Sequence, residues 1–362
     1  MGSKKLKLIV FENFVELGEK VNNHLRDIYS TKRNFVVKMR NSRFSNGEGK
    51  IVIEETIRAS DLFIMSDVGN YGVSYMLHGN AHYMGPDEHF QDIKRVLSAC
   101  SGHADKLSLV MPLLYQARQH RRKGRESLDC AVALQELEKL GISNFITFDA
   151  HDPNVCNAVP SLPFDNFFPT KEILKTMLEQ EKEFDNFFVI SPDIGALERA
   201  RFYAEMLGSD VGVFYKRRDF SKVVNGKNPI VEHSYLGADV KGKNVIVVDD
   251  MIASGGSMID VCEELKLKGA KKISLIVTFA LFTEGIETFQ KAYENKLFNK
   301  LFSTNLTYVP DTIRKQKWFH EVDCSKQLAT VISTLHDDES IASLFNGKEE
   351  IFERIEEYKK SC

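Results

Sequence analysis

Short β-branched and aromatic runs alternate with amphipathic stretches along this chain. The runs Leu8 to Phe11, Ile51 to Ile53, Asp61 to Met65, Leu107 to Met111 and Asn144 to Phe148 predict strands, as do Asn186 to Ile190, Val211 to Tyr215, Asn244 to Val248 and Ile273 to Phe279. Between them, Phe90, Ile93, Val96, Leu97 and Cys100 recur at helical spacing within Asp87 to Ser101. Leu128, Ala131, Val132, Leu134, Leu137 and Leu140 do the same before Gly141, a good helix stop. A parallel return needs a helical crossover, so this alternation predicts an α/β protein with mainly parallel sheets flanked by helices. Pro160, Pro163 and Pro169, three of the nine prolines, interrupt the pattern and suggest a domain boundary.

The 362 residues suggest about two domains. The chain has 48 Lys+Arg against 51 Asp+Glu, a formal charge of -3, which gives no argument for a nucleic-acid partner; an anion site must be a local cluster. The longest mostly apolar run, Ile273 to Phe282, is far below the ~20 residues that cross a bilayer. Leu8 to Phe11 is too short for a signal peptide, and Leu6 stands where a myristoylation motif wants Ser or Thr. Six scattered cysteines without a CxxC pair read as reduced thiols, which fits a cytoplasmic protein.

The most specific segment is Val247-Val248-Asp249-Asp250-Met251-Ile252-Ala253-Ser254-Gly255-Gly256-Ser257-Met258. An apolar strand ends in two acids, a turn of small residues follows, and Met258 to Leu267 predicts a helix. Backbone N–H groups at a helix start bind phosphate, and Ser254 and Ser257 add hydroxyl donors. Asp249 and Asp250 can accept from vicinal sugar hydroxyls or hold Mg²⁺ through its outer shell, so phosphate at one end and diol at the other describe a ribose 5-phosphate. The P-loop and the dinucleotide-binding glycine fingerprint are both missing.

This loop resembles the phosphoribosyl-pyrophosphate (PRPP) loop of the phosphoribosyltransferase fold, and the chain from about Lys5 to Phe345 resembles the ribose-phosphate diphosphokinase (PRPP synthetase) family. The resemblance implies two phosphoribosyltransferase-like domains: 1–165 with 320–362 for ATP, and 166–319 for ribose 5-phosphate. In Phe44-Ser45-Asn46-Gly47-Glu48 it implies an adenine site of Phe44, Asn46, Gly47 and Glu48; by itself the segment reads as a polar Asn-Gly turn. In the basic stretch Tyr115 to Arg125 it implies ATP contacts from Arg118 and Gln119, while Arg121, Arg122 and Lys123 also suit a solvated face. His151, after Asp149, and Asp193, in Ser191-Pro192-Asp193-Ile194-Gly195-Ala196, fall at the family's metal-linked positions. Lys216 and Arg218, ahead of a polar loop Asp219 to Ser234, correspond to its catalytic cations. Asp249, Asp250, Ala253, Ser254, Gly255, Gly256 and Ser257 correspond to its ribose-5-phosphate site, and Leu335 to Phe345 to a closing segment on the first domain. The implied cofactor is Mg²⁺, and the implied assembly is a homo-oligomer of dimers forming a hexamer.

The chain departs from the family pattern in three places. Ala253 stands where many members carry Asp, so a protein base there is dispensable; Tyr71 to Pro86 is an insertion; and a charged tail follows Phe345. Two other readings cover part of the sequence. A phosphoribosyltransferase explains the loop but leaves the segment before Pro160 and the Lys216–Arg218 motif without a task. A non-catalytic regulatory paralogue draws support only from Ala253.

Overall fold

In a computed structural model, the described residues are 5–181, 187–218, 230–345, 351–353 and 355–356. They divide into two compact units: the described parts of Met1–Pro169, Asn305–Pro310 and Asp323–Asn346, and those of Thr170–Thr304, Asp311–Val322 and Gly347–Cys362.

The first unit carries the strands β1 (Lys5–Val10), β2 (Met39–Arg43), β3 (Gly49–Ile53), β4 (Ser60–Met65), β5 (Ser74–Leu77), β6 (Asn80–Tyr83), β7 (Lys106–Val110), β8 (Asn144–Phe148) and β9 (Phe164–Phe167). Its helices are α1 (Val15–Ile28), α2 (Pro86–Cys100) and α3 (Asp129–Lys139). Among the described residues, β1-β4-β7-β8-β9 form one sheet with every pairing parallel. Every residue of β4 is buried, which is how a strand covered on both faces reads. Helix α2 starts well because Pro86 sits in its first turn and Glu88 reaches back to the Gly85 N–H (3.1 Å). Its apolar stripe Phe90, Ile93, Val96, Leu97 and Cys100 lies in the core cluster.

Two antiparallel hairpins stand apart from this sheet, β2–β3 and β5–β6. The second lies within Tyr71 to Pro86, the stretch expected to be an insertion; its two-residue turn has positive φ at His78 (49°) and Gly79 (77°), matching the right-handed twist of the strands. Within Pro160 to Pro169, the stretch read as a domain boundary, the prolines flank a strand that the pattern did not predict: β9, four residues long, with Phe167 fully buried.

The second unit contains α4 (Thr170–Gln180), β10 (Phe187–Ser191), α5 (Leu197–Leu207), β11 (Val211–Arg218), β12 (Ile230–Leu236), β13 (Asn244–Ile252), α6 (Gly256–Leu267), β14 (Lys272–Ala280), α7 (Glu287–Glu294), β15 (Lys300–Thr304), α8 (Asp311–Arg314) and β16 (Phe319–Val322). Its sheet runs β12-β11-β10-β13-β14-β15-β16, and only β12 is antiparallel to its neighbour. Strand β13 outlasts the predicted Val248 because its partner β14 continues, pairing Asp249 with Val277 and Ile252 with Ala280. Helix α6 likewise begins at Gly256, ahead of the predicted Met258.

The chain re-enters the first unit twice. At Asn305–Pro310, the buried Asp67 carboxylate accepts from Thr307 Oγ1 (3.1 Å) and the Tyr308 N–H (2.7 Å), as well as from the Gly69 N–H (2.9 Å). Burial nevertheless pushes the Asp67 carboxyl up to about 7. After Asp323, α9 (Ser325–His336) and α10 (Ala342–Phe345) follow. His24 meets Ser325 Oγ (3.1 Å), His336 meets the buried Asp61 (3.0 Å), and Phe345 stacks on Phe167 at 4.7 Å. The free cysteines among the described residues are Cys100, Cys130, Cys156, Cys262 and Cys324. No helix among those residues is long and apolar enough to cross a membrane.

The β2–β3 hairpin is tied to α2 by Asp92, whose carboxylate is 1% exposed. It accepts from Arg43 Nη2 (2.6 Å) and Nη1 (2.9 Å), Arg95 Nη1 (2.6 Å) and Asn41 Nδ2 (2.9 Å). Burial alone would raise the Asp92 carboxyl, but the Arg43 and Asn41 hydrogen bonds outweigh it and hold it below the usual carboxylate range. The stability this adds is therefore present above about pH 4 and is lost as pH falls through the depressed value. We expect Asp92→Asn to cost about 3 kcal/mol in denaturant unfolding, because it leaves Arg43 without its buried counter-charge. A loss under about 1 kcal/mol would remove Asp92 as the anchor.

Candidate functional site

Candidate residues occur on both units, and each set is described within its own unit. In the second unit they collect at the C-terminal ends of three adjacent strands, β11, β10 and β13. Strand β10 is followed by a crossover to β11 on one side, while β13 lies on its other side. This reversal of winding is the topological switch point, where loops diverge and open sheets bind ligands.

Asp193 lies in the turn after β10, exposed, with its Oδ1 accepting from the Ala196 N–H (3.1 Å) and its carbonyl from Ser191 Oγ (2.6 Å). Asp249 and Asp250 occupy the end of β13. The Asp250 N–H donates to Asp249 Oδ1 and the Met251 N–H to Asp250 Oδ1, each at 2.9 Å. Asp250 is buried, whereas the Asp249 side chain keeps 27% of its surface and stands 3.9 Å from Arg199 Nη1. Burial, then the charges of Asp250 and Asp193, push the Asp249 carboxyl well above the ordinary range, and Arg199 only partly offsets them. The two motifs thus sense each other electrostatically within this unit.

The loop after β13 is pinned from one side: the Leu281 N–H donates to the Ile252 carbonyl (2.9 Å) and the Thr283 N–H to the Ala253 carbonyl (3.0 Å). Its other side is open, with Ser254, Gly256 and Ser257 exposed at the start of the 12-residue helix α6. Gly255 caps that helix at φ 82°, and a Cβ there would overlap the Phe289 ring, so both backbone and neighbour demand glycine. Gly256 has no such neighbour; its use is to leave backbone N–H groups uncovered. The backbone of Lys216 and Arg218 lies in β11, beyond the Ser191–Val213 pairing at which β10 ends; Asp219 to Pro229 lie outside the described residues.

In the first unit, Phe44 to Glu48 form the tip of β2–β3. The Phe44 N–H donates to the Glu48 carbonyl (2.8 Å), the Gly47 N–H to the Phe44 carbonyl (2.9 Å), and Asn46 Nδ2 to Glu48 Oε2 (2.9 Å). Phe44 is 54% exposed at this tip. Arg118 and Gln119 project from a single 3₁₀ turn, Ala117–Gln119, that follows β7. His151 follows the neighbouring strand β8, after Asp149, whose φ is 43°. These two loops meet through a residue that sequence reasoning passed over. His120 lies 3.2 Å from Asp152 Oδ2, with its ring centroid 5.5 Å from that of His151. Only the presence of His120 in the basic stretch hinted at this, since the pairing spans two strand ends. Asp87 joins the same region to α2, accepting from the Tyr115 hydroxyl (2.7 Å).

Mg²⁺ suits the donors present. Asp193, Asp249 and Asp250 offer hard carboxylate oxygens, and a cation would offset both the burial and the acidic neighbours that raise Asp249. Among the described residues no three His, Cys, Asp or Glu side chains converge as a cage, so the fit rests on that donor chemistry.

Two predictions follow from these geometries. Gly255→Ala should lose about 2 kcal/mol of stability through its positive φ and the Phe289 overlap, whereas Gly256→Ala should stay within about 0.5 kcal/mol. Equal losses in chemical denaturation would contradict the assignment. Because Asp249 is raised, its neutral form favours the fold, and that contribution fades as pH climbs from the carboxylate range through the raised value. The melting temperature of Asp249→Asn, compared with the parent in metal-free buffer, should therefore gain as pH rises above the ordinary carboxylate range of about 4. A constant difference would refute the shift.

Comparison with known proteins gives a consistent result. Residues 6–141 match the N-terminal domain of ribose phosphate pyrophosphokinase, and residues 169–304 match the phosphoribosyl transferase domain. The ribose-phosphate pyrophosphokinase of Vibrio parahaemolyticus is 28% identical over 309 residues, covering 84% of this chain and 90% of that protein. Ribose-phosphate pyrophosphokinase A of Dictyostelium discoideum is 26% identical over 309 residues, covering 84% and 88%. The crystal structure of phosphoribosylpyrophosphate synthetase from Mycobacterium smegmatis superposes with a TM-score of 0.76 at 21% identity, over 92% of this chain and 100% of that one, which establishes the shared fold.

Proposed function

This chain belongs to the ribose-phosphate pyrophosphokinase family, and from that premise we propose how its residues carry out the family's reaction. The enzyme transfers the diphosphoryl group of ATP to the anomeric hydroxyl of ribose 5-phosphate, giving PRPP and AMP. The anomeric oxygen forms a bond to the β-phosphorus, and the bond from that phosphorus to the α-phosphate oxygen breaks to release AMP. Phosphoryl transfer of this kind depends on positioning and charge neutralisation.

The first unit takes ATP. Phe44 stacks on adenine, while Asn46 and Glu48, set by the Gly47 turn, read its amino edge. Arg118 and Gln119 meet the phosphates, for which a guanidinium fork is well shaped. The second unit takes ribose 5-phosphate. The backbone of Ala253 to Ser257 and the Ser254 and Ser257 hydroxyls hold the 5-phosphate at the positive end of α6. Asp249 and Asp250 accept from the ribose hydroxyls, and Ala253 leaves that position without a base. Lys216 and Arg218 neutralise charge on the transferring group and on the departing AMP. Within the first unit His151, and within the second Asp193, would hold Mg²⁺, which would supply charge neutralisation on phosphate oxygens.

The observation that carries this assignment is the switch-point edge, where Asp193, the Asp249–Asp250 pair and the α6 loop end adjacent strands of one sheet. The domain match at residues 6–141 favours a synthetase over a lone phosphoribosyltransferase. The same reading extends to a cytoplasmic homo-oligomer in which dimers build a hexamer, which light scattering would check.

Purified protein supplied with Mg²⁺, ATP and ribose 5-phosphate should form AMP and PRPP in equal amounts. Absence of AMP across phosphate and ADP conditions would sink the assignment. Lys216→Ala should lower kcat by about 100-fold while ATP binding changes little; retained turnover would remove Lys216 from the catalytic step.

A further inference from the structure

We propose that the inserted hairpin β5–β6 braces the base-holding turn, and that Tyr75 on it is a positioning residue that sharpens recognition of the ATP base. The inference rests on the reading of Phe44 to Glu48 as the adenine site and concerns residues outside that turn.

Tyr75 and Leu77 share one face of β5 and are half-buried, while Ser74 and Met76 face away and are exposed. The buried face lies against the turn: a Cβ at Gly47 would stand 3.3 Å from Leu77 Cδ1 and 3.4 Å from the Tyr75 hydroxyl. The Tyr75 ring also covers the Arg43 guanidinium, 5.3 Å from its centroid. Arg43 is the last residue of β2 before Phe44 and is itself fixed by Asp92. The hairpin is in turn anchored to α2. The Tyr75 hydroxyl donates to Glu88 Oε1 (2.9 Å), while Glu88 Oε2 meets His82 Nε2 (3.0 Å) and accepts from the Gly85 N–H (3.1 Å).

The turn alone is an exposed five-residue loop. A loop of that kind loses conformational freedom when it closes on a ligand, and fixing it beforehand removes that cost from binding. Leu77 and the Tyr75 ring fix it from one side and the Arg43–Asp92 pair from its base. Base reading by Asn46 and Glu48 depends on their angle to the purine edge, so a looser turn weakens ATP binding and also discriminates less between an adenine amino group and a guanine carbonyl.

Steady-state kinetics of the full chain test this. The double variant Tyr75→Ala/Leu77→Ser should raise KM for ATP about fivefold or more, lower the preference for ATP over GTP, and leave kcat and KM for ribose 5-phosphate within about twofold. Tyr75→Phe keeps the ring over Arg43 and should shift KM for ATP by less than about threefold. If the double variant melts below the assay temperature, Tyr75→Leu is measured in the same way. Phe44→Ala separates the layers of the argument. An elevated ATP KM in Phe44→Ala with none in the hairpin variants overturns the brace alone. Unchanged ATP KM in Phe44→Ala overturns the base site and the brace with it. A fall in kcat without any change in ATP KM or base preference marks the hairpin as merely structural and also overturns the proposal.

Discussion

Parallel strands can be joined only by crossovers that bring the chain back to the starting edge, and the placement of the candidate groups outside the β2–β3 turn depends on that constraint. Each crossover leaves one loop at the C-terminal end of a strand. In the second unit this delivers Asp193 after β10, the acids and glycine loop around the end of β13, and the backbone of Lys216 and Arg218 at the end of β11. Three loops of different sequence reach one edge because the strands between them are adjacent and run the same way. The first unit follows the same logic with Arg118, Gln119 and His151, placed after β7 and β8.

The first unit adds a device that strand polarity does not provide. Helix α2 presents three acids to three separate pieces of chain: Asp87 to the Tyr115 hydroxyl, Glu88 to β5–β6, and Asp92 to β2–β3. Each acid is hydrogen-bonded to groups that would otherwise be loose, because hairpins and 3₁₀ turns have little core of their own. Of the three only Asp92 is buried, and the apolar stripe on the helix's other face fixes the element that carries them all.

The parallel sheets were legible in the sequence because their strands are covered on both faces and read as continuous apolar runs, as in Asp61 to Met65 and Ile273 to Phe279. The glycine loop was legible for a different reason: few uses exist for two glycines and two serines after a strand that ends in acids. What escaped was structure held by pairing partners far away in sequence. Strand β13 runs past Val248 because β14 continues beside it, a fact no local pattern contains. Strand β9 is short and hidden between prolines. Hairpin β5–β6 mixes polar and apolar residues without clean alternation and turns on His78-Gly79, a weaker signal than Asn-Gly. The His120–Asp152 contact depends on two loops converging and has no signature at either residue.

The Asp67 carboxylate has a consequence for how the protein comes into being. Two of its hydrogen-bond donors, Thr307 and Tyr308, are encoded some 240 positions downstream, and the α9 residues that cap α1 and Asp61 come later still. A nascent chain that has reached Pro169 therefore exposes an interior that is not yet complete, with a carboxylate that would be buried short of its partners. The first unit to emerge from the ribosome is the last to be finished, and it waits for the whole second sheet to be translated. A gene fragment that ends at Pro169 therefore encodes the whole of the first sheet but none of these later partners.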